Sequence, residues 1–156
     1  MAHAKIADEQ CTIARPAALL GERWTLLLLR QVFLGTRRFE DFQTTMDISR
    51  SVLTDRLAEL VEQGILRRVA YEGHPRVRYE YRLTEKGLDL YPVLMALRDW
   101  GAKWMAPEEG VSFELHHHDC GGDVRAKVEC TSCGTELTAR DVRVTPGPRP
   151  AAPSRR

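Results

Sequence analysis

The chain has 156 residues, of which 43% are hydrophobic and 29% are charged, and its formal net charge is +1. These values are typical of a globular protein with one domain of ordinary size and a small appendix. No apolar run, such as Leu26–Leu29, approaches the roughly 20 residues that cross a bilayer, and the N-terminus lacks the charged and apolar segments of a signal peptide. We therefore expect a cytoplasmic protein that does not contact the membrane.

The first part of the sequence predicts three short helices. Residues 1–10 are expected to form a flexible N-terminus, and helices are predicted over 11–20, 24–34 and 37–45. Thr36 is the expected N-cap of the third helix, because a threonine hydroxyl can accept a hydrogen bond from a backbone N–H of the first helical turn.

The clearest element is a fourth helix that follows Ser49. Ser49 is a good N-cap, and apolar residues recur behind it at the three- and four-residue spacing of one helix face. Gly64 ends the helix, since glycine adopts the left-handed conformation that closes many helices. Together with the third helix, this element forms a helix-turn-helix pair. The residues of the predicted buried face are Leu53, Leu57, Leu60 and Val61.

Two strands rich in arginine follow the fourth helix. Residues 65–71 and 77–83 alternate β-branched, aromatic and arginine side chains, and a Gly-His-Pro turn connects them. Between positions 67 and 82, five arginines and two glutamates give a local charge of 5 − 2 = +3, in a chain that carries +1 overall. Such a local concentration suits a protein that meets a phosphate backbone on one face. A helix followed at once by this hairpin is the layout of a winged helix-turn-helix.

A long helix is predicted from Glu85 to about Met105, with Thr84 before it. It has more apolar residues than a single packing face needs, so we favour pairing with its copy in another subunit, although a core helix would look similar. The sequence shows no internal repeat. The predicted domains are a flexible N-terminus (1–10), a winged helix-turn-helix domain with dimerisation helices (11–108), a Cys/His ribbon-like appendix (109–142) and a disordered Pro/Arg-rich tail (143–156).

The cysteines of the appendix have the spacing of metal ligands. Cys130 and Cys133 form one C-x-x-C-G knuckle, and His117 and Cys120 form a second in which an imidazole replaces a thiolate. Three thiolates and one imidazole would close a tetrahedral, structural zinc site, one per subunit. Three adjacent histidines compete for the fourth position, and the two-residue gap favours His117. The alternatives are a ribbon without metal and a His-rich stretch that binds metal loosely.

Several motifs occur together between Cys11 and Ala106. They are an early cysteine, G-x-x-W-T-L-L-L-L, G-x-x-R-F-x-x-F, I-S-x-x-V-L-T-x-R-L-x-E-L and Y-x-L-T-x-x-G. In combination they resemble the HxlR-type winged helix-turn-helix transcriptional regulators of prokaryotes. The resemblance implies a homodimer with paired recognition helices that represses or activates a neighbouring gene. It also implies a role for Cys11, because some HxlR-type proteins use a cysteine at this point to sense oxidants or electrophiles.

Cys11 itself stands at a predicted helix N-terminus, where the helix dipole stabilises a thiolate, and Arg15 follows one turn later. The alternative is an inert, half-buried cysteine that caps the core.

The exposed face of the fourth helix is expected to read DNA. Arg50 could donate two hydrogen bonds to a guanine, which is worth about 1–3 kcal/mol of discrimination. In the alternative arrangement Arg50 and Arg56 are only solvated, or they pair with Asp55 and Glu59. The predicted DNA-binding residues are Arg37 and Arg38 at the start of the third helix, Ser49, Arg50, Ser51, Thr54 and Arg56 on the fourth, and His74, Arg76 and Arg78 on the wing.

The predicted fold is mainly α with a small β-hairpin wing, a winged helix-turn-helix, plus a short C-terminal zinc-ribbon-like β appendix. The predicted function is sequence-specific regulation of transcription, with repression the expected mode, by a homodimer on a pseudo-palindromic double-stranded DNA operator. The alternative is a winged-helix protein–protein adaptor with a structural zinc ribbon and no specific DNA site, although an adaptor needs no +3 wing. An enzyme is not expected, because the sequence has no nucleotide-binding loop, nucleophile elbow or suitably placed carboxylate pair.

Overall fold

The computed structural model describes residues 11–71, 77–108, 110 and 113–145. The chain divides into two compact units, Met1–Arg98 and Asp99–Arg156. The division falls inside the last helix, and within the second unit Asp99 Oδ2 accepts a hydrogen bond from the N–H of Ala126, 2.7 Å away. Across the described ranges, no helix combines the length and the apolar character that a membrane crossing requires.

The described secondary structure is mainly helical, with one two-stranded hairpin. The hairpin is antiparallel, in a register that runs from Leu66 opposite Leu83 to Tyr71 opposite Arg78. The elements are α1 (Ala14–Leu20), α2 (Arg23–Phe33), α3 (Phe39–Met46), α4 (Arg50–Glu62), β1 (Leu66–Tyr71), β2 (Arg78–Leu83), α5 (Glu85–Leu88) and α6 (Tyr91–Trp104). Helices α3 and α4 form the predicted helix-turn-helix pair, and β1 and β2 form the wing.

Most of the largest fully buried side chains of the first unit are leucines and one phenylalanine of α2, α3 and α4. Leu53 and Leu57 are fully buried and Leu60 is 1% exposed, which confirms most of the predicted apolar face of α4. Phe42 of α3 is fully buried as well. Each such side chain contributes about 1.5–3 kcal/mol by leaving water. Because one face of α4 is fixed in this core, its opposite face is held towards solvent.

The two ends of α4 are closed as predicted. The Ser49 hydroxyl accepts a hydrogen bond from the Val52 N–H at 3.4 Å, and Gly64 has a left-handed φ of +67°. The turn before the helix contains Asp47, a residue other than glycine at a φ of +48°, which aspartate tolerates better than most residues. Ile48, 4% exposed, anchors this turn in the core.

The start of the third helix differs from the prediction. Helix α3 begins at Phe39, and its N-cap is the extended Arg38, whose side chain makes no capping bond. Thr36 is therefore not the cap. Residues 37 and 38 add to the edge of the wing instead: the Arg37 carbonyl accepts a hydrogen bond from the Tyr81 N–H at 2.8 Å, and Arg38 bridges to Glu80.

The long helix predicted after the wing is two helices. Helix α5 ends at Leu88, and α6 starts at Tyr91. Pro92 explains the break. In a continuous helix it would lack the backbone N–H for the bond to the Leu88 carbonyl, and its ring would clash with that carbonyl. In the first turn of α6 the missing N–H costs nothing, because that donor has no partner within the helix.

The Y-x-L-T-x-x-G motif joins the base of the wing to the end of α4. The Thr84 hydroxyl lies 2.6 Å from the Gly64 carbonyl oxygen, to which it donates, and accepts from the Gly87 N–H at 3.1 Å. The Thr84 N–H donates to the Ile65 carbonyl at 3.0 Å. Gly87 is buried, and a Cβ atom there would lie 2.3 Å from the Ile65 oxygen. We call this contact between Thr84, Gly87 and Ile65 the wing clasp.

The described C-terminal segment, 113–145, consists of turns and two isolated bridges. The bridges pair His116 with Asp123 and Glu129 with Glu136. Each bridge encloses one tight turn, and the two turns share one backbone pattern. These turns are the two knuckles that the residue spacing indicated, and they form an internal repeat that the sequence was not expected to contain.

Candidate nucleic-acid interface

The N-terminal turns of α4 present a polar, exposed surface. Ser49, Arg50, Ser51 and Thr54 are all exposed, so the structure places these four predicted residues together. The Thr54 hydroxyl donates to the Arg50 carbonyl at 2.8 Å, and the Ser49 and Ser51 hydroxyl oxygens are 3.4 Å apart. These hydroxyls still have acceptor capacity that faces solvent.

Arg50 is held by an aromatic ring at the start of this surface. Its guanidinium carbon lies 5.0 Å from the centroid of the Phe39 ring, at the first position of α3. A cation–π contact of this kind at an exposed site is worth about 0.5–1 kcal/mol. The contact limits the positions of the guanidinium and leaves its edge N–H groups available to a ligand.

Arg56 adopts the alternative arrangement. Its Nη1 lies 2.6 Å from Glu59 Oε2, and the two side chains are 27% and 36% exposed. To contact DNA, Arg56 would have to leave this ion pair. A role for Arg56 in binding remains a prediction.

The described part of the wing remains strongly basic. Strands β1 and β2 contain four arginines and one glutamate, a charge of 4 − 1 = +3. Arg78 is exposed at the start of β2, and Arg68 lies 5.5 Å from the centroid of the Tyr79 ring. The other two predicted wing contacts, His74 and Arg76, lie outside the described residues.

Glu80 is a negative centre that fixes two arginines. It accepts hydrogen bonds from Arg82 Nη2 at 2.9 Å and from Arg38 Nε at 3.4 Å. The hydrogen bond from Arg82 is the main reason why the pKa of Glu80 lies below its ordinary value. Arg38 also lies over the Tyr71 ring, 4.6 Å from its centroid, and 51% of its side chain remains exposed. Arg38 therefore connects the segment before α3 to the wing. It still has N–H groups that could donate hydrogen bonds to a phosphate.

The first turn of α3 is less suited to a phosphate than we expected. It contains Glu40 and Asp41, whose negative charges interact favourably with the helix dipole but would repel an anion. Arg37 is half-buried and precedes the helix. Any phosphate contact here would come from the strand-like segment of residues 37 and 38 rather than from the helix N-terminus.

Cys11 lies just before α1. Its sulfur accepts a hydrogen bond from the Ala14 N–H at 3.3 Å, and the residue is half-buried. Half-burial is compatible both with a thiol that a reagent can reach and with the inert alternative. A cavity of about 600 Å³ lies nearby, between α1, the end of α4 and α5, with Arg15, Glu59 and Lys86 among its lining residues. No sequence pattern indicated this cavity, because its lining comes from distant segments.

The predicted metal ligands lie in two pairs. His117 Nδ1 is 3.2 Å from Cys120 Sγ, and Cys130 and Cys133 share one tight turn that the Gly134 N–H closes on the Cys130 carbonyl at 2.8 Å. The Thr135 hydroxyl, 3.3 Å from Cys133 Sγ, is the main reason why the pKa of Cys133 is lowered. Within the described ranges, no three His, Cys, Asp or Glu side chains form a single metal-binding cluster.

The helix-turn-helix pair with its basic wing defines a transcriptional regulator of the helix-turn-helix type. The protein belongs to the HxlR-like helix-turn-helix family, whose model matches residues 19–109. The resemblance seen in the sequence motifs is thereby confirmed.

Comparison with known proteins gives the same class. Rv3095 of Mycobacterium tuberculosis, described as an uncharacterised HTH-type transcriptional regulator, is 44% identical over 137 residues, covering 88% of this chain and 86% of that protein. The crystal structure of PA1607, described as a candidate transcription factor, superposes with a TM-score of 0.77 at 35% identity, covering 88% of this chain and 96% of the other. The reduced form of the redox regulator HypR gives a TM-score of 0.56 at 30% identity, covering 60% of this chain and 92% of the other.

Proposed function

We propose that this protein binds a pseudo-palindromic DNA operator as a homodimer and represses transcription in the cytoplasm. The observation that carries the proposal is the exposed N-terminal surface of α4, which Ser49 caps and the leucine core orients. The proposal includes no catalytic activity.

In this proposal α4 is the recognition helix. The N-terminal residues of such a helix contact base edges in the major groove. Arg50 extends from the first position of α4 and is steadied by Phe39. Its planar fork fits the O6 and N7 atoms of guanine, whereas Ser51 and Thr54 can contact either bases or phosphates.

The wing and the adjoining segment hold the DNA backbone. Arg78 on β2 is exposed, and Arg38 keeps about half of its side chain accessible beside the wing. Contacts of this type add affinity for every sequence and make binding sensitive to salt. They also fix the register in which α4 meets the bases.

The exposed apolar surface supports a homodimer. Helix α1 has no buried residue in the single chain. Leu19, within the helix, and Ile13, directly before it, are nevertheless apolar. Along α6, four large apolar residues follow at intervals of four, three and four positions, the spacing of one helix face. Contiguous exposed surface of this kind marks an interface. The four residues are Val93 (49% exposed), Leu97 (49%), Trp100 (55%) and Trp104 (65%).

In this proposal Cys11 is the point at which oxidants or electrophiles regulate the protein. Its sulfur accepts a hydrogen bond from the Ala14 N–H and is only half-buried, so such a reagent can reach it. HypR, a structural relative, is described as a redox regulator in reduced and oxidised forms. Diamide or a quinone should change the operator affinity of the native protein and leave that of a Cys11→Ser variant unchanged. An unchanged affinity in both proteins would contradict this part of the proposal.

The central test is a selection of binding sites from random duplex DNA with the full chain. We expect enrichment of two inverted half-sites separated by about one helical turn. Arg50→Ala should remove the preference at one position of each half-site, at a cost of about 1–3 kcal/mol. The matched control is Arg30→Ala, which removes an exposed arginine from α2, outside α3, α4 and the wing.

Two outcomes would contradict the proposal. One is a monomer in solution that binds duplexes at low salt no better than an ordinary neutral protein, which would favour the protein–protein adaptor. The other is an Arg50→Ala variant with an unchanged base preference, which would show that α4 is not the reading element.

A further inference from the structure

The C-terminal segment contains two turns with the same backbone hydrogen bonds. In the first turn the His117 N–H donates to the Gly122 carbonyl at 2.7 Å, and the Gly121 N–H donates to the His117 carbonyl at 2.8 Å. In the second turn, over residues 130–135, the corresponding bonds measure 2.9 and 2.8 Å. Every donor and acceptor of the second turn lies 13 positions after its counterpart, as 130 − 117 = 13.

The correspondence extends beyond the hydrogen bonds. The isolated bridge between residues 116 and 123 recurs between residues 129 and 136, again 13 positions later. Gly121 and Gly134, at matched positions, have φ angles of +69° and +70°. Glycine reaches this left-handed region without steric cost, which allows the chain to reverse directly after each cysteine. The two turns are therefore copies of one knuckle.

The matched positions carry metal-binding side chains. His117 occupies the place of Cys130, and Cys120 occupies the place of Cys133. Within the first knuckle the imidazole Nδ1 is already 3.2 Å from the thiol sulfur. The match identifies His117 among the three adjacent histidines, which sequence spacing alone could only favour. Thiolates and an imidazole are the ligand set of zinc.

The neighbouring histidines are placed differently. His116 Nδ1 lies 3.2 Å from Asp123 Oδ1 within the flanking bridge. The His118 side chain is fully exposed and lies 3.0 Å from Asp119 Oδ1. Neither holds the position that Cys130 has in the second knuckle.

The described part of this segment has neither a buried apolar core nor a disulfide to stabilise it. None of the described residues 113–145 is buried, and the three cysteines within this segment are free thiols. Segments of this size usually depend on a disulfide, a metal or oligomerisation, since their apolar surface is too small. A metal bound between the two knuckles would supply that cross-link.

We propose that His117, Cys120, Cys130 and Cys133 bind one structural zinc ion per chain. Each knuckle contributes one pair of ligands, and the metal joins the pairs into a closed, four-coordinate site. The three thiols release their protons to solvent as the metal binds. Because all four positions are filled by side chains, the site leaves no open position for a substrate and is structural.

The test uses the full chain, purified through a tag without histidines and without chelators. Mass spectrometry of metals should find about one zinc per chain, the stoichiometry of a closed four-ligand site. Cys130→Ser and His117→Ala should each lose most of it. The matched controls His116→Ala and His118→Ala should keep it, since they change the same residue type one position away.

A second measurement guards against variants that fail to fold. Cobalt(II) added to the metal-free native chain should give the intense visible bands of a tetrahedral thiolate site, and zinc should displace it. Loss of metal in the His116 and His118 variants to the same extent as in His117→Ala would show loose binding by the histidine stretch. That result would overturn the proposal, as would zinc far below one per chain with four free thiols, or octahedral cobalt spectra.

Discussion

The wing clasp makes a sharp prediction about Gly87. In a Gly87→Ala variant, the new methyl group would lie 2.3 Å from the Ile65 carbonyl oxygen and 2.9 Å from Leu83 Cδ2. The side chain of Leu83 can rotate, but the Ile65 oxygen belongs to the backbone. To reach an ordinary contact of 3.4 Å, the oxygen would have to move by 3.4 − 2.3 = 1.1 Å.

The expected cost follows from the bonds that this oxygen already makes. It accepts from the Thr84 N–H at 3.0 Å, and a shift of this size breaks that bond. The Thr84 hydroxyl also lies 3.1 Å from this oxygen, but its one proton is donated to the Gly64 carbonyl at 2.6 Å. One hydrogen bond contributes about 1 kcal/mol, and overpacking adds about 1–3 kcal/mol. Alanine returns about 1 kcal/mol through its higher helix propensity. The net loss in the free energy of unfolding should be about 1–3 kcal/mol.

Urea unfolding at neutral pH, followed by circular dichroism, measures this loss. The matched control is Gly101→Ala in α6, where a Cβ atom would meet nothing within 4 Å. That variant should be unchanged or more stable by up to about 1 kcal/mol. A Gly87→Ala variant as stable as the wild type would refute the reasoning, because the clasp could then accommodate a side chain.

Three further predictions concern the capped helix and the wing. Ser49→Ala should lower stability by about 1 kcal/mol in urea unfolding, since the Val52 N–H loses its acceptor; an unchanged midpoint would mean that the cap contributes nothing. Arg78→Ala should weaken binding to specific and random duplexes equally and reduce the slope of log K against log salt by about 1; an unchanged slope would place this residue off the backbone. Glu80 has a pKa lowered from an ordinary 4.5, so its stabilising effect is present above that pH and is lost as the pH falls through the lowered pKa. Glu80→Gln should therefore melt below the wild type at neutral pH, and the difference should shrink on acidification below 4.5; a difference that grows in acid would contradict the assignment.

The parts of the fold that local chemistry determines were predictable from the sequence. Helix α4 is one example, because its capping serine, its leucine spacing and its final glycine all lie within one continuous stretch. The wing strands were predictable for the same reason, because their alternating side chains and the turn residues between them lie in one continuous stretch. The break before α6 was also visible in principle, since Pro92 cannot lie in the interior of a straight helix.

Features that depend on contacts between distant segments were not predictable. Thr36 looks like a cap, but the segment that follows it extends along the wing, and the bond between the Arg37 carbonyl and the Tyr81 N–H outweighs local preference. The wing clasp joins residues 64 and 65 to residues 84 and 87, and no spacing rule connects them. The two knuckles were indicated by their residue spacing, but the backbone hydrogen bonds that they share were visible only in the structure.

The attachment of residues 37 and 38 to the wing has a consequence for how a duplex would be approached. The bond from Tyr81 and the pairing of Arg38 with Glu80 connect the start of the helix-turn-helix to the hairpin beside it. In the proposed complex, the distance between α4, which would lie in the groove, and the wing, which would contact the DNA backbone, is thus set during folding. A duplex would meet a surface whose spacing is already fixed, so little conformational freedom would be lost on binding.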